Sequence, residues 1–311
     1  MQAEATLVST TDRRGRPLRT VACAVCGLFR TDPLPSGDDL RDFHQQDYRE
    51  EYKGFRLPKR KNTLRSGRLA LERLRMLAPL APAARVLDVG SGSGEWLFLL
   101  QSLGHAVNGI EADTAYGEYA RVTYGVPVLS TGLFEADLPP SSFEFITAFH
   151  VLEHLTDPAG ALRRLLGWLV PGGRLLVEVP NINSPHQNPS GRFHYAHVLG
   201  FTSESLAYAA TLAGFQIESS SIDRFGRNLS ISLRRPLPVE LPPVRAVAPP
   251  PALSRPLITS PVTIAQYYLR PSTYLRWALR MVQFGGELGA LVAGANARDT
   301  IRSFSRLSAP L

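Results

Sequence analysis

Cysteine is nearly absent from this chain: Cys23 and Cys26 are its only two, too few for a disulfide framework. The opening residues contain no apolar run of the secretion-signal type, which gives an expectation of a cytoplasmic protein. Residues 288–293, the longest apolar stretch near the end, are far too short to cross a bilayer. Internal repeats are missing as well. The net charge of +7 comes from arginines dispersed along the chain, the pattern of a solvated face rather than a nucleic-acid stripe, so no nucleic-acid partner is expected. What remains is a chain with 44% hydrophobic and 20% charged residues among 311, enough to bury a sizeable core.

Composition divides the chain into four expected segments. Residues 1–60 form an N-terminal extension, and 61–235 alternate strand and helix patterns. Residues 236–261 hold nine prolines and read as a linker or extended arm. Residues 262–311 read as helical, with a break at Pro271 and a last piece from about residue 287. In the extension, Cys23 and Cys26 have the spacing of half a zinc knuckle. Zinc takes four ligands, no second CxxC follows, and His44 offers at most a third, so the pair reads as a metal-free remnant.

Residues 86–97 read VLDVGSGSGEWL: a buried strand, a glycine-rich turn, then an apolar helical pattern. Alternating glycines strip side chains from the turn, so that a ligand can approach its backbone and the following helix N-terminus. HAVNGIEAD (105–113) gives a strand ending at Glu111, further strands follow near 126–129, 143–149 and 173–179, and helices near 95–103, 115–124 and 157–169 lie between them. A last helix near 203–215 leads into two strands that close as a hairpin. Strands alternating with helices of this length predict an α/β fold: a Rossmann-like, doubly wound, seven-stranded, mostly parallel sheet.

An acid, Glu111, ends the next strand, where a carboxylate can accept both hydroxyls of a ribose. A dinucleotide fold wants GxGxxG. Here the third glycine, Gly94, comes one position early and Glu95 takes its slot. An acid there opposes a pyrophosphate, whereas S-adenosylmethionine carries a sulfonium and no phosphate.

With these motifs, and with FEFITAFHVLEHLTDP (143–158), LVPGGRLLVEVPN (169–181) and FHYAHVLGFTSESL (193–206), the chain resembles the class I S-adenosylmethionine-dependent methyltransferases. The similarity is to the small-molecule branch of ubiquinone-pathway and sugar methyltransferases, over residues 60–230. Residues 20–55 resemble the N-terminal segment of a zinc-ribbon subgroup. The resemblance implies S-adenosyl-L-methionine as cofactor, with Asp88 organising the turn and Gly90, Ser91, Gly92 and Gly94 lining the methionine part. It further implies Glu111 at the ribose with Ala112 beside it, Leu133 and Phe134 flanking adenine, and Phe149 and His150 beside the sulfonium.

A hydroxyl acceptor must lose a proton, and histidine is the side chain best suited to take it. His150 and His154 sit four residues apart, with the spacing to share a helical face. His194 and His197 lie in the long loop after the fifth strand, and His197 matches the histidine of an acid–histidine pair in sugar C-methyltransferases. The acid's place is taken by Ala196, which points away from C-methylation. His197, His150 and His154 are the candidate catalytic residues. The expected reaction is O-methylation of a small polar acceptor, a sugar or glycan precursor. Two alternatives stay open: a quinone-type phenol near a membrane, and a non-catalytic cofactor-binding partner. The C-terminal helices, rich in tyrosine and arginine, suit a membrane surface, a homodimer contact or a cover for the pocket.

Overall fold

The computed structural model describes residues 5–43, 54, 57–59, 62–77, 80–184, 192–238, 264–292, 294 and 296–307. The aromatic segment 44–53 with its candidate ligand His44, and all but the edges of the proline-rich arm, lie outside the described residues.

The chain begins with β1 (Ala5–Thr11) and β2 (Pro17–Cys23), an antiparallel hairpin, followed by β3 (Phe29–Thr31) and a short α1 (Gly37–Asp42). After α2 (Thr63–Met76), strands and helices alternate as the sequence pattern predicts. They are β4 (Arg85–Val89), α3 (Glu95–Ser102), β5 (Ala106–Glu111), α4 (Thr114–Tyr124), β6 (Val128–Ser130) and β7 (Phe143–Phe149). A 3₁₀ turn (Leu152–His154), α5 (Pro158–Trp168) and β8 (Leu169–Pro180) follow, then β9 (Leu199–Gly200) and α6 (Ser203–Leu212). The closing hairpin is β10 (Gln216–Ile222) with β11 (Asn228–Arg234), and three helices end the chain: α7 (Ile264–Leu269), α8 (Pro271–Val292) and α9 (Ala297–Leu307).

Seven strands form one sheet in the order β10-β11-β8-β7-β4-β5-β6. β4, β5 and β6 pair in parallel, and β11 runs antiparallel to both β8 and β10. This is the mostly parallel, doubly wound sheet expected, with the hairpin at one edge. A second, antiparallel sheet has the order β1-β2-β3-β9, and its last strand arrives from residues 199–200.

The chain divides into two compact units. One comprises Met1–Leu40, Leu138–Ser142 and Ile146–Thr273; the other comprises Arg41–Asp137, Phe143–Phe145 and Tyr274–Leu311. In the second unit, α3 is apolar around its circumference and buries Trp96, Leu97, Phe98, Leu99 and Leu100, the pattern of a helix enclosed by its neighbours. Asp113 caps α4 by accepting the backbone N–H of Ala115 and Tyr116, as short acidic caps do. Ile301 and Phe304 of α9 are buried beside α2 and α3, and the ring of Phe304 occupies the space a side chain at Gly67 would need.

Candidate functional site

The predicted cofactor residues Asp88, Gly90, Ser91, Gly92, Gly94, Glu111, Ala112, Leu133 and Phe134 fall in one unit. Phe149, His150, His154 and His197 fall in the other, and each set has its own geometry.

Asp88 is buried near the end of β4. The turn after it is tied to β5: the N–H groups of Gly90 and Ser91 both donate to the Ile110 carbonyl, at 2.8 and 3.0 Å. Glu111, itself buried, accepts the Gly92 N–H on Oε2 at 2.7 Å and the Asp113 N–H on Oε1 at 3.0 Å. Turn and acid are therefore one hydrogen-bonded assembly. Gly94, at φ +89°, precedes α3, and a Cβ there would lie 2.7 Å from the Ala120 Cβ; only glycine fits. A Cβ at Gly92, by contrast, would meet no atom within 4 Å, so open space borders the turn. The Ser91 hydroxyl is buried and has no hydrogen-bond partner among the described residues. Glu95 takes a hydrogen bond from the Ser93 hydroxyl at 2.6 Å. Leu133 is buried, while Phe134 is exposed.

In the other unit, Phe149 ends β7 buried, and His150 follows in the left-handed region at φ +58°, a conformation rare for a residue with a side chain. Its N–H donates to the Glu178 carbonyl at 2.8 Å. Its ring lies between two buried carboxylates, Nδ1 at 3.2 Å from Glu153 and Nε2 at 3.2 Å from Glu178. Burial opposes its charge, but hydrogen bonds to Glu153 and Glu178 outweigh that and push its pKa up to about 9. His150 is thus an imidazolium at neutral pH. His154 Nδ1 is 2.6 Å from the Ala196 carbonyl, which can only accept, so Nδ1 carries a hydrogen, and its Nε2 lies 4.0 Å from the Glu153 carboxylate. The two histidines do not share a helical face, because the chain here is a strained residue and a 3₁₀ turn.

His154, His194 and His197 form a stack. The His197 ring is 4.9 Å from that of His154, edge-on, and 3.8 Å from that of His194. Burial, then repulsion from Arg13, lowers the pKa of His194 to about 4. His197 is held well below its ordinary value by burial and by His154, His194, His150 and Arg13. Both rings are neutral at physiological pH.

His197 also lines a small cleft of about 20 Å³, room for one water or one ligand hydroxyl. Thr20, Arg30, Thr31 and Arg192 supply its other polar walls, and Phe29, Ile182 and Val198 are among its apolar ones. Thr20 and Thr31 are cross-strand partners of β2 and β3. Their buried hydroxyls, and the buried Nε of Arg192, have no hydrogen-bond partner among the described residues. Sequence reasoning missed these four residues and Glu178. The acid of LLVEVP, placed within an apolar strand, was the available signal for Glu178; nothing local marked Thr20 or Thr31.

Cys23, the last residue of β2, and Cys26, on the turn that follows, are free thiols. Among the described residues, the group of three potential metal ligands that comes together is Glu153, His154 and His197, with ligand atoms within 4.8 Å of one another.

Residues 62–220, half of the chain, match the family model of a methyltransferase domain. A probable S-adenosylmethionine-dependent methyltransferase of Mycolicibacterium smegmatis is 30% identical over 139 residues, 43% of this chain and 53% of that protein. A ubiquinone biosynthesis O-methyltransferase of Xanthomonas campestris is 33% identical over 109 residues, 32% of this chain and 44% of that protein. The chain thus spans about half the length of the curated relatives it matches. The solved structure of Haemonchus contortus phosphoethanolamine N-methyltransferase 2 in complex with S-adenosyl-L-methionine shares the fold, with a TM-score of 0.52 at 16% identity over 67% of this chain and 62% of that one. The strand–glycine turn–helix with its hydrogen-bonded acid and the match over half the sequence agree: the chain belongs to the family of S-adenosylmethionine-dependent methyltransferase domains.

Proposed function

We propose that the chain methylates a hydroxyl of a small polar acceptor, a sugar or glycan precursor. The observation that carries this reading is the cleft at His197, where the hydroxyls of Thr20 and Thr31 and the Nε of Arg192 are buried without partners among the described residues. A buried polar group left unpaired costs about 1–3 kcal/mol. One ligand hydroxyl entering the cleft pairs with such groups, and a polyhydroxylated acceptor offers the most hydroxyls to place there.

The cofactor fits the other unit's turn. Glu111, fixed by two backbone N–H groups, is the acid placed at the turn for the ribose hydroxyls. The Ser91 hydroxyl, without a partner among the described residues, offers a donor, and the open side of Gly92 admits the methionine part. S-Adenosylmethionine supplies an activated methyl group on a sulfonium, so positioning accounts for much of the rate. His197 is neutral and takes the acceptor's proton as the O–CH₃ bond forms and the S–CH₃ bond breaks, giving the methyl ether, S-adenosylhomocysteine and a proton. His150, already protonated and ion-paired, is not the base; it fixes the turn after β7. His154 holds the Ala196 carbonyl, next in sequence to His197.

The test is methyl transfer from S-adenosylmethionine to a panel of sugar nucleotides, glycosides and phenols. Sugar hydroxyls are expected to be methylated in preference. Thr20→Val with Thr31→Val is expected to raise the acceptor KM about tenfold, the loss of two hydrogen bonds, with cofactor affinity by calorimetry unchanged. His197→Ala is expected to lower kcat by 10²-fold or more, the usual range for a positioned base. Faster methylation of phenols, or an unchanged acceptor KM in the double variant, overturns the reading.

A further inference from the structure

Helix α8 is oriented contrary to the rule for surface helices. At about 100° per residue, Tyr274, Leu275, Trp277, Met281, Val282 and Phe284 fall on one broad arc, and Arg276, Arg280, Gln283 and Glu287 fall on the opposite one. An ordinary amphipathic helix turns its apolar arc inward. Here those six apolar side chains are between 42% and 76% exposed, while Glu287 is 2% exposed. Glu287 pairs with Arg280 at 3.6 Å, and the neighbouring Gly286 lies against Leu64 and Arg68 of α2. The protein buries Glu287 and half-covers Arg276 and Gln283, while it presents the apolar arc to solvent. Exposed apolar surface of this extent marks a docking face.

We infer that α8 seats the protein on an anionic lipid surface, lying in the interface with its apolar arc inserted among the acyl chains. Charge selects this occupant over a second copy. Helices α2, α8 and α9 together carry nine arginines against three acids. Two copies, each with a net charge of +7, repel each other, whereas a layer of anionic headgroups attracts each arginine near it by about 1 kcal/mol. The composition is that of interfacial helices, with tryptophan, tyrosine and leucine on the apolar side and arginine behind. No helix among the described residues is long and apolar enough to cross a membrane, so the geometry is docking rather than spanning. The inference is independent of the acceptor's identity.

Tryptophan gives a direct readout, because Trp96 and Trp168 are buried and Trp277 is exposed. The full chain is mixed with vesicles of phosphatidylcholine alone or of phosphatidylcholine with phosphatidylglycerol. Co-sedimentation with the anionic vesicles, a blue shift of tryptophan emission and weakening in high salt are expected. Trp277→Phe should abolish the shift while retaining sedimentation. Met281→Asp with Val282→Asp should reduce sedimentation at least tenfold, with the circular dichroism spectrum and methyl transfer to a water-soluble acceptor unchanged. Failure of the wild type to bind anionic vesicles, or equal binding by the double variant, overturns the inference. So does a dimer by light scattering that dissociates in the double variant without any vesicle binding.

Discussion

His150 shows how one side chain links backbone strain, charge and stability. Its left-handed backbone is maintained by the N–H donated to the Glu178 carbonyl and by the two carboxylates on its ring. Because the folded pKa is raised to about 9 from 6.5, its stabilisation is complete below pH 6.5 and is lost as pH rises through about 9. Unfolding in urea at pH 6 and at pH 9.5 should therefore show a lower midpoint at the higher pH. His150→Gln should flatten that dependence, and the ring's partial exposure keeps the expected change in Tm to about 2–4 °C. The histidine itself was legible in the HVLEH phrase, but its role was not. Sequence spacing treats residues 150–154 as a helical turn, whereas a φ of +58° and a 3₁₀ turn bring both rings to Glu153 and give each a further partner, Glu178 for His150 and the Ala196 carbonyl for His154. The Glu178 partner is distant in sequence, and Ala196 meets His154 through its backbone carbonyl, which no side-chain pattern can reveal.

Elements with a strong local pattern were predicted closely. β7 has the predicted bounds, and β4, α3, β5 and α4 differ from prediction by a residue or less at each end; buried parallel strands and an enclosed apolar helix write their identity into consecutive residues. α3 also shows why its glycine cannot vary. Gly94→Ala would strain the left-handed backbone and press a methyl group into Ala120, costing about 2 kcal/mol or more and shifting the turn. A lower denaturation midpoint together with weaker S-adenosylmethionine binding by calorimetry is the expected result. The strand expected at 173–179 begins earlier, since β8 starts at Leu169 and carries the PGG phrase within it. The C-terminal helices were read as amphipathic around Pro271, with a last piece from residue 287. In the structure α8 runs unbroken from Pro271 to Val292, and the last helix begins at Ala297. Periodicity revealed the amphipathic character of α8, but a pattern cannot say which face the protein covers.

Across the whole chain, what the sequence concealed is non-local. β9 is two residues long and joins β3 across more than a hundred and fifty residues, so no periodicity announces it. α9 has a helical pattern of its own, but that pattern does not reveal that Ile301 is fully buried near the end of the chain. Ile301→Ala is expected to destabilise the protein by about 2–5 kcal/mol, read as a lower urea midpoint, whereas Ser303→Ala on the same helix should change little. The cleft walls at Thr20 and Thr31 belong to the first thirty-one residues, and the donor turn to a segment far along the chain. Under the proposed reading, donor and acceptor recognition are therefore inherited on separable stretches of sequence. Drift in the opening strands can retune which alcohol is chosen while the glycine turn stays intact, so a transplant of residues 5–31 between relatives is a route to exchanging selectivity as a cassette.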